Sequence, residues 1–487
     1  MESNYKERIL KFFNNNFNLI IIALFIFAFI IRLKYLTINS AVWYDEAEYL
    51  SAAKDWAFGI PYDFSFVRPA LLPFIWAVFY KMGFGEFFFR IIILIFSLAG
   101  LVLTYLIGKI LFNKYVGVIA LVITSFHYLN LFYTARLLTD IPSFTLLLFT
   151  VYFFLEFYIN KKTNYLYLMG LTFALSILMR FPTGALGGAL LLYLLLTEGF
   201  RFLRNKKLWA SVGVFFIIFI PYAIWYYTTY NKIPIFGASA FYTHETLFRQ
   251  SLGFMPTVLM SPGYIFVILL LIGLSMILFN LILGYDLLKK DENLKKQFFI
   301  LLWIVVIFSY FAFYAGLVED RYFFYIFPAF FMIIGWVLLK LNDILKKYYK
   351  FLGIIVIILL LVIIGYQQLN YADKLIKAKA DSYIQFKYAG EYIKQNSNPT
   401  DKVIAAGVPQ LSYYSEREII YPEKEGFEKL TKDKNVKYLV LSALESTPEW
   451  TYKWPEENKN KIIPVQAYFF DEEKTKPAVV IYRFLNK

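Results

Sequence analysis

Three carboxylates stand within four residues in Trp43-Tyr44-Asp45-Glu46-Ala47-Glu48-Tyr49, directly after the first long apolar run of the chain. A carboxylate can take a proton, hold a cation or pair with a guanidinium group, and beside hydrocarbon it is costly enough to be kept mainly where function needs it. Solvation of an ordinary loop is the competing explanation. Two further charged clusters follow at similar boundaries of apolar runs. Thr134 to Ser143 carries Arg136 and Asp140, and Gly316 to Tyr322 carries Glu319, Asp320 and Arg321. Each has a plain structural reading as well as a chemical one. Asp140 or Thr139 suits a helix N-cap with Pro142 in the first turn. Arg321 between its acidic neighbours suits a surface ion pair worth little. Arg68, in Phe66-Val67-Arg68-Pro69, suits a lipid-headgroup contact or a substrate phosphate, and Pro69 places it near the start of a helix.

The elements that must position these residues are set by composition. Of 487 residues, 59% are hydrophobic and 17% charged, more apolar sequence than a water-soluble core requires. A bilayer core of about 30 Å needs about 20 apolar residues per helix, which gives about eleven spans. They fall near residues 18–37, 87–107, 115–134, 141–159, 165–181, 184–198, 208–230, 264–284, 298–316, 322–339 and 351–369. The first is too long, and too poor in small residues at its end, to read as a cleaved signal peptide. With the N-terminus inside, about 19 Lys and Arg fall in inner segments against about 8 in outer loops, as the positive-inside rule requires. The three charged clusters then share the outer face. The net charge of +14 is mostly this topology signal, with some attraction to anionic lipid heads, and no basic soluble domain supports nucleic-acid binding. The absence of cysteine excludes a disulfide framework, a thiol nucleophile and a thiolate metal site.

In the first outer loop Ala47, Leu50, Ala53, Trp56 and Ala57 recur at three and four residues, which predicts a short amphipathic helix on the membrane interface. Residues 1–369 thus form the membrane domain. From 370 to 487 the composition turns polar, with helices expected over Asp381 to Gln395 and Glu425 to Lys434. Strands are expected at Val403 to Ala406, Val436 to Leu441, Ile462 to Val465 and Val479 to Tyr482. The fold class expected is a polytopic α-helical membrane protein with a small extracytoplasmic α/β domain at its C-terminus, which serves as a cap or, second, binds an acceptor. His127 is expected to be a hydrogen-bonded packing group in the third span. His244-Glu245 could hold a cation, but two ligands make an incomplete site.

Six short motifs, taken in order, resemble the type C membrane glycosyltransferases. They are Trp-x-Asp-Glu-Ala-x-Tyr (Trp43 to Tyr49), Arg-Pro-Ala-Leu-Leu-Pro (Arg68 to Pro73), Phe89-Arg90, Ala-Arg-x-x-Thr-Asp-Ile-Pro (Ala135 to Pro142), Met-Arg-Phe-Pro-Thr (Met179 to Thr183) and Arg-Tyr-x-x-x-x-x-Pro (Arg321 to Pro328). The resemblance is to the branch of protein O-mannosyltransferases and lipid A aminoarabinose transferases, and it covers roughly residues 18 to 340. The Trp-Trp-Asp-Tyr-Gly signature of oligosaccharyltransferases is absent.

The resemblance implies inverting transfer of one sugar from a polyprenyl- or dolichyl-phosphate carrier to a glycan, lipid or protein acceptor at the outer face of the membrane. It implies Asp45 as general base, Glu46 orienting the acceptor or stabilising developing positive charge, and Asp140 as a second catalytic acid. Arg68 and Arg321, with Arg136 behind them, are the implied donors to the carrier phosphate, because guanidinium forks suit phosphate. Where the aminoarabinose transferases place a Glu for a metal, this chain has Val67, so no divalent cation is assigned. Two rival classes stay open. A lipid-linked sugar transporter would hold its charges at the midplane between interrupted helices, and a non-catalytic receptor would tolerate loss of Asp45 and Asp140.

Overall fold

The computed structural model describes residues 15–234, 263–313 and 319–485. Among them nine helices are long and apolar enough to cross a bilayer: Asn16–Tyr35, Glu86–Leu111, Asp140–Tyr158, Phe181–Arg204, Lys206–Tyr230, Tyr264–Leu283, Glu292–Phe313, Phe327–Leu345 and Leu352–Ala378. A tenth crossing is made by Lys114–Phe126 and Tyr128–Thr134, which meet at a 57° bend. The remaining expected segment, the fifth, is the apolar helix Tyr165–Met179 of 15 residues. At about 1.5 Å per residue it is shorter than the roughly 30 Å of hydrocarbon, but it still returns the chain to the face that Asp140–Tyr158 left, since Tyr165 packs on Phe153 and the following Arg180 pairs with Asp140. The protein is a multi-pass membrane protein.

Lipid gives apolar side chains no reason to leave it, so these helices pack where small residues allow backbones to approach. Gly108 faces Gly117 so closely that an added Cβ would lie 2.9 Å from the Gly117 Cα. The bend at His127 has no proline or glycine. It is stitched instead by polar side chains from other helices, one of the ways freed backbone groups are satisfied within a membrane. Arg32 Nη1 donates to the Ser125 carbonyl at 3.3 Å, and the Tyr128 N–H donates to Gln368 Oε1 at 3.1 Å. His127 itself is buried against the rings of Phe327 and Phe331, 4.6 and 5.1 Å between centroids. Contrary to expectation it is a packing group without hydrogen bonds: neither ring nitrogen has a partner among the described residues.

The outer loop departs from its expected form in two ways. Its first helix, Tyr44–Phe58, is not an amphipathic helix with one face left free, because the run from Glu46 to Ala53 is buried on all sides. One side packs on the helix Leu71–Lys81, and the other is covered by the short helix Val408–Ser415 of the C-terminal part. The second helix begins at Leu71, so Pro69 stands before its first turn and Arg68 sits in the preceding turn, its N–H on the Ser65 carbonyl at 3.2 Å.

After Ala378 a five-stranded mixed sheet forms: β1 (Lys402–Ala405), β2 (Glu418–Ile420), β3 (Val436–Ser442), β4 (Ile462–Phe469) and β5 (Pro477–Phe484), in the order β2-β1-β3-β5-β4. β1 runs parallel to β2 and β3, and β5 antiparallel to β3 and β4. Alternation along the strands gives two apolar faces. Val403, Ala405, Tyr438 and Val440 meet the helix Ile384–Gln395 through Phe386 and Ile393. Ile404, Leu439 and Leu441 meet Phe427 and Trp454. The helix expected over Glu425 to Lys434 shrinks to Phe427–Leu430, and β2 is an element that its three residues gave no periodic pattern to reveal.

Candidate active site

The Tyr44–Phe58 helix, the turn before Leu71, the start of Asp140–Tyr158, the end of Tyr165–Met179 and the 3-10 turn Asp320–Tyr325 bring their charged residues to one place. There carboxylates and guanidinium groups alternate. Arg68 Nε lies 2.7 Å from Glu48 Oε2, and its Nη2 donates to Asp45 Oδ1 at 2.7 Å. The other oxygen of Asp45 accepts from Arg321 Nη1 at 3.0 Å. Arg321 also lies 2.6 Å from Glu319 and 3.9 Å from Asp140. Asp140 in turn accepts from Arg180. Asp45 is the centre of this chain and, with its side chain 22% exposed, remains open to solvent.

The turn carrying Arg68 is held from the membrane domain. Tyr226 Oη donates to the Phe66 carbonyl at 2.5 Å and Tyr230 Oη to the Phe64 carbonyl at 3.0 Å, both from the helix Lys206–Tyr230. Arg68 also lies over the Tyr49 ring, 5.5 Å from its centroid. Directly after Pro69, Ala70 and Leu71 line an apolar cavity of about 550 Å³ with Trp56, Leu178, Tyr222 and Trp225. Ala70 and Leu178 each stand two residues along the chain from an arginine of the cluster, Arg68 and Arg180, while the cavity lining itself is uncharged.

Electrostatics follow from this geometry. Burial disfavours the Asp45 carboxylate, but Arg68 and Arg321 outweigh burial and hold it well below the usual carboxylate range. For Glu48 the balance is reversed. Burial pushes it above the ordinary glutamate range despite Arg68. As it stands, then, Asp45 is an ionised hydrogen-bond acceptor and a weak base.

Two expected site residues are turned away. Glu46 is buried, with Oε2 accepting from the Trp43 N–H at 2.7 Å and Oε1 from the Leu137 N–H at 2.6 Å. It closes its own helix N-terminus and ties it to the next outer loop, so it is not in reach of an acceptor. Arg136 is likewise buried, stacked 3.8 Å from the Trp43 ring centroid, with Nη2 on the Lys379 carbonyl at 3.0 Å and Nη1 3.6 Å from Glu46. It braces the loops instead of facing the cleft. Arg180, Glu48 and Glu319 are members that residue-by-residue reasoning passed over. Each lay inside a motif or cluster already in view, and what was invisible was the partner.

His244 and Glu245 lie outside the described residues. Among the described residues no three His, Asp or Glu side chains gather as a cation site. In the cluster four carboxylates, Asp45, Glu48, Asp140 and Glu319, share three guanidinium groups, Arg68, Arg180 and Arg321, so an incoming phosphate gains a fork only by displacing a carboxylate from it.

Comparison with known proteins agrees with this architecture. The family model for dolichyl-phosphate-mannose-protein mannosyltransferase matches residues 67–225. A search of curated proteins finds no match. Among solved structures, ArnT from Cupriavidus metallidurans bound to undecaprenyl phosphate superimposes with a TM-score of 0.66 at 13% identity, over 95% of this chain and 97% of that one. The oligosaccharyltransferase of Archaeoglobus fulgidus tethered to an acceptor peptide gives 0.62 at 13% identity, over 86% and 69%. The same organism's AglB, in complex with an inhibitory peptide and a dolichol-phosphate, gives 0.54 at 12%. The fold of this chain is that of the type C membrane glycosyltransferases, with a small C-terminal sheet unit added to the helical part.

Proposed function

We propose that this protein is an inverting glycosyltransferase that moves one sugar from a polyprenyl- or dolichyl-phosphate carrier to an acceptor hydroxyl on the outer face of the membrane. The observation that carries the reading is the Arg68–Asp45–Arg321 bridge beside an apolar cavity. A lipid phosphate needs both halves of that arrangement: guanidinium forks for its oxygens and an apolar slot for the first isoprene units. The match to a mannosyltransferase family model and the fold shared with ArnT support the same class.

In this reading the phosphate competes with Asp45 for Arg68 and Arg321. As the two guanidinium groups turn to phosphate, Asp45 loses part of its electrostatic restraint and becomes a better base. The acceptor oxygen then bonds to the anomeric carbon while the bond from that carbon to the phosphate oxygen breaks. The acceptor proton goes to Asp45, and the phosphate leaves with its charge met by Arg68 and Arg321. Attack opposite the leaving group inverts the centre and needs no covalent enzyme intermediate, unlike a retaining glycosidase. Asp140, pinned by Arg180, keeps Arg321 in place and acts as a positioning residue.

We place residues 1–369 in the membrane with the N-terminus cytoplasmic, and the cluster and residues 370–487 outside, on the Lys and Arg distribution. A tag after Lys487 reached by protease added to intact cells supports that orientation, and a protected tag reverses it. The function is tested with purified protein in vesicles, a labelled polyprenyl-phosphate sugar and a mixture of glycan, lipid and Ser/Thr-peptide acceptors. A transferase cleaves the sugar from phosphate and Arg68→Ala abolishes most of that cleavage; a transporter moves the intact donor across without cleaving it.

A further inference from the structure

Each nitrogen of the Arg68 guanidinium group has a different partner, and all three partners come from the helix Tyr44–Phe58. Nη2 donates to Asp45 at 2.7 Å, Nε lies 2.7 Å from Glu48, and Nη1 donates to the Tyr49 hydroxyl at 3.4 Å. Residues three and four apart stand side by side on a helix, so Asp45, Glu48 and Tyr49 cup the group together.

The three contacts differ in kind. Asp45 is 22% exposed and divides its oxygens between Arg68 and Arg321. Tyr49 is neutral and its contact is long. The Glu48 side chain is 5% exposed, and its second oxygen is committed to the chain itself, accepting from the Ser65 N–H at 3.3 Å. Ser65 begins the turn that ends on Arg68, whose own N–H is bound to the Ser65 carbonyl. One carboxylate therefore grips both the head of Arg68 and the turn that carries it. Arg321 is divided in a similar way. Its Nε lies 2.6 Å from Glu319 and its Nη2 donates to the same carboxylate at 3.2 Å, leaving Nη1 for Asp45.

When a phosphate displaces Asp45, Glu48 keeps Nε, and Nη1 with Nη2 is left as a fork suited to two phosphate oxygens. An arginine released by both carboxylates would have to order a long, flexible side chain as it binds. We propose that Glu48 is a positioning residue: it fixes Arg68 by Nε so that the Nη groups alone exchange Asp45 for the carrier phosphate. The proposal rests on the transferase reading above and names what holds its phosphate site in place. It also reverses a simple expectation. Charge alone predicts that removing a carboxylate beside an anion site tightens phosphate binding, whereas a holding role predicts that it weakens.

The test is titration of the full chain in nanodiscs with polyprenyl phosphate carrying no sugar, since the phosphate is the group in question. Glu48→Leu, which removes charge and acceptor together, should weaken binding about tenfold or more, as expected for an arginine fork that has lost its charged partner. Glu48→Gln removes the same charge but keeps an acceptor for Nε, so it should lose only about threefold. In the Arg68→Lys background, which has no Nε, neither substitution at Glu48 should weaken binding further. Affinity equal to or above wild type in Glu48→Leu, or the same loss with and without Arg68→Lys, overturns the proposal. Should Glu48→Leu not fold, Glu48→Gln decides alone: its loss must appear beside Arg68 and vanish in the Arg68→Lys background. Transfer from a labelled polyprenyl-phosphate sugar is followed in the same samples. If wild type transfers sugar while the Glu48 variants bind phosphate undiminished, only this role of Glu48 falls; if wild type neither binds the carrier nor transfers sugar, the transferase reading falls and the proposal with it.

Discussion

Two sets of buried arginines in this protein have the same side chain and opposite employment. Arg32 gives Nε to Ser97 at 2.9 Å, Nη1 to the Ala28 carbonyl at 3.0 Å and to Ser125, and Nη2 to Asn130 at 2.5 Å. Arg136 is stacked on Trp43 and bound to a carbonyl. Their partners are backbone carbonyls and small polar groups, with Glu46 3.6 Å from Arg136 as the exception, and both side chains are sealed from solvent. Arg68 and Arg321 are instead paired with the carboxylates of Asp45, Glu48 and Glu319 at the rim of a cleft, 20% and 15% exposed. A guanidinium group bound to fixed carbonyls has nothing to exchange. One bound to an exposed carboxylate can trade it for a phosphate. The difference is in the partner and the exposure, not in the residue.

The largest expected effect that sharpens this contrast is at Asp45. Asp45→Asn keeps the shape and loses the proton acceptor, so turnover should fall about a hundred- to ten-thousandfold, about 3–5 kcal/mol of barrier, with donor binding retained. Turnover above about a tenth of wild type would transfer the base to another carboxylate of the cluster. On the scaffold side, Arg136→Ala leaves Glu46 buried without its counter-charge and should cost about 3–5 kcal/mol of stability, read as lost folded yield and lowered Tm. Normal stability together with a loss of donor affinity would move Arg136 into the site. Glu46→Gln should be milder. It keeps one acceptor for the Trp43 or Leu137 N–H and strains the other, costing about 1–3 kcal/mol of stability while turnover of the folded protein stays within about tenfold of wild type.

The smallest effect is in pH. Because the Asp45 carboxyl is depressed in the folded protein, its ion pairs stabilise above the unfolded carboxylate value of about 3.9 and are lost only as pH falls through the lower folded value. The Tm gap between wild type and Asp45→Asn should stay level from pH 8 to 5 and close only below about pH 4. A gap that closes by pH 6 would mean Asp45 is not held by the two arginines.

What could be read from sequence divides along the same line. The helices were legible because hydrocarbon thickness imposes a length and apolarity on each segment, as at Glu86–Leu111 and Tyr264–Leu283. The three charged clusters were legible because the charges gather where apolar runs end. Which member of a cluster faces the cleft was not. Asp45 and Glu46 are consecutive on one helix and so point about 100° apart, and only the packing of that helix decides which one meets solvent. Glu46 went to the core and Asp45 to the cleft. Arg180 was passed over for a related reason. Its pairing with Asp140 is made between two helices and has no period within either. The burial of Tyr44–Phe58 was hidden too, because the helix that covers it comes from Val408–Ser415, far along the chain.

The central claim is that Arg68, and not the sealed scaffold arginines, takes the carrier phosphate. Its most direct test is the affinity of purified wild type, Arg68→Ala and Arg136→Lys for a polyprenyl-phosphate-linked sugar, measured side by side by titration in nanodiscs. Removing a charge-assisted fork should weaken binding about tenfold or more in Arg68→Ala, while Arg136→Lys, with its charge kept and no phosphate to meet, should stay within about twofold. Equal affinities for wild type and Arg68→Ala, or a loss confined to Arg136→Lys, would contradict the account.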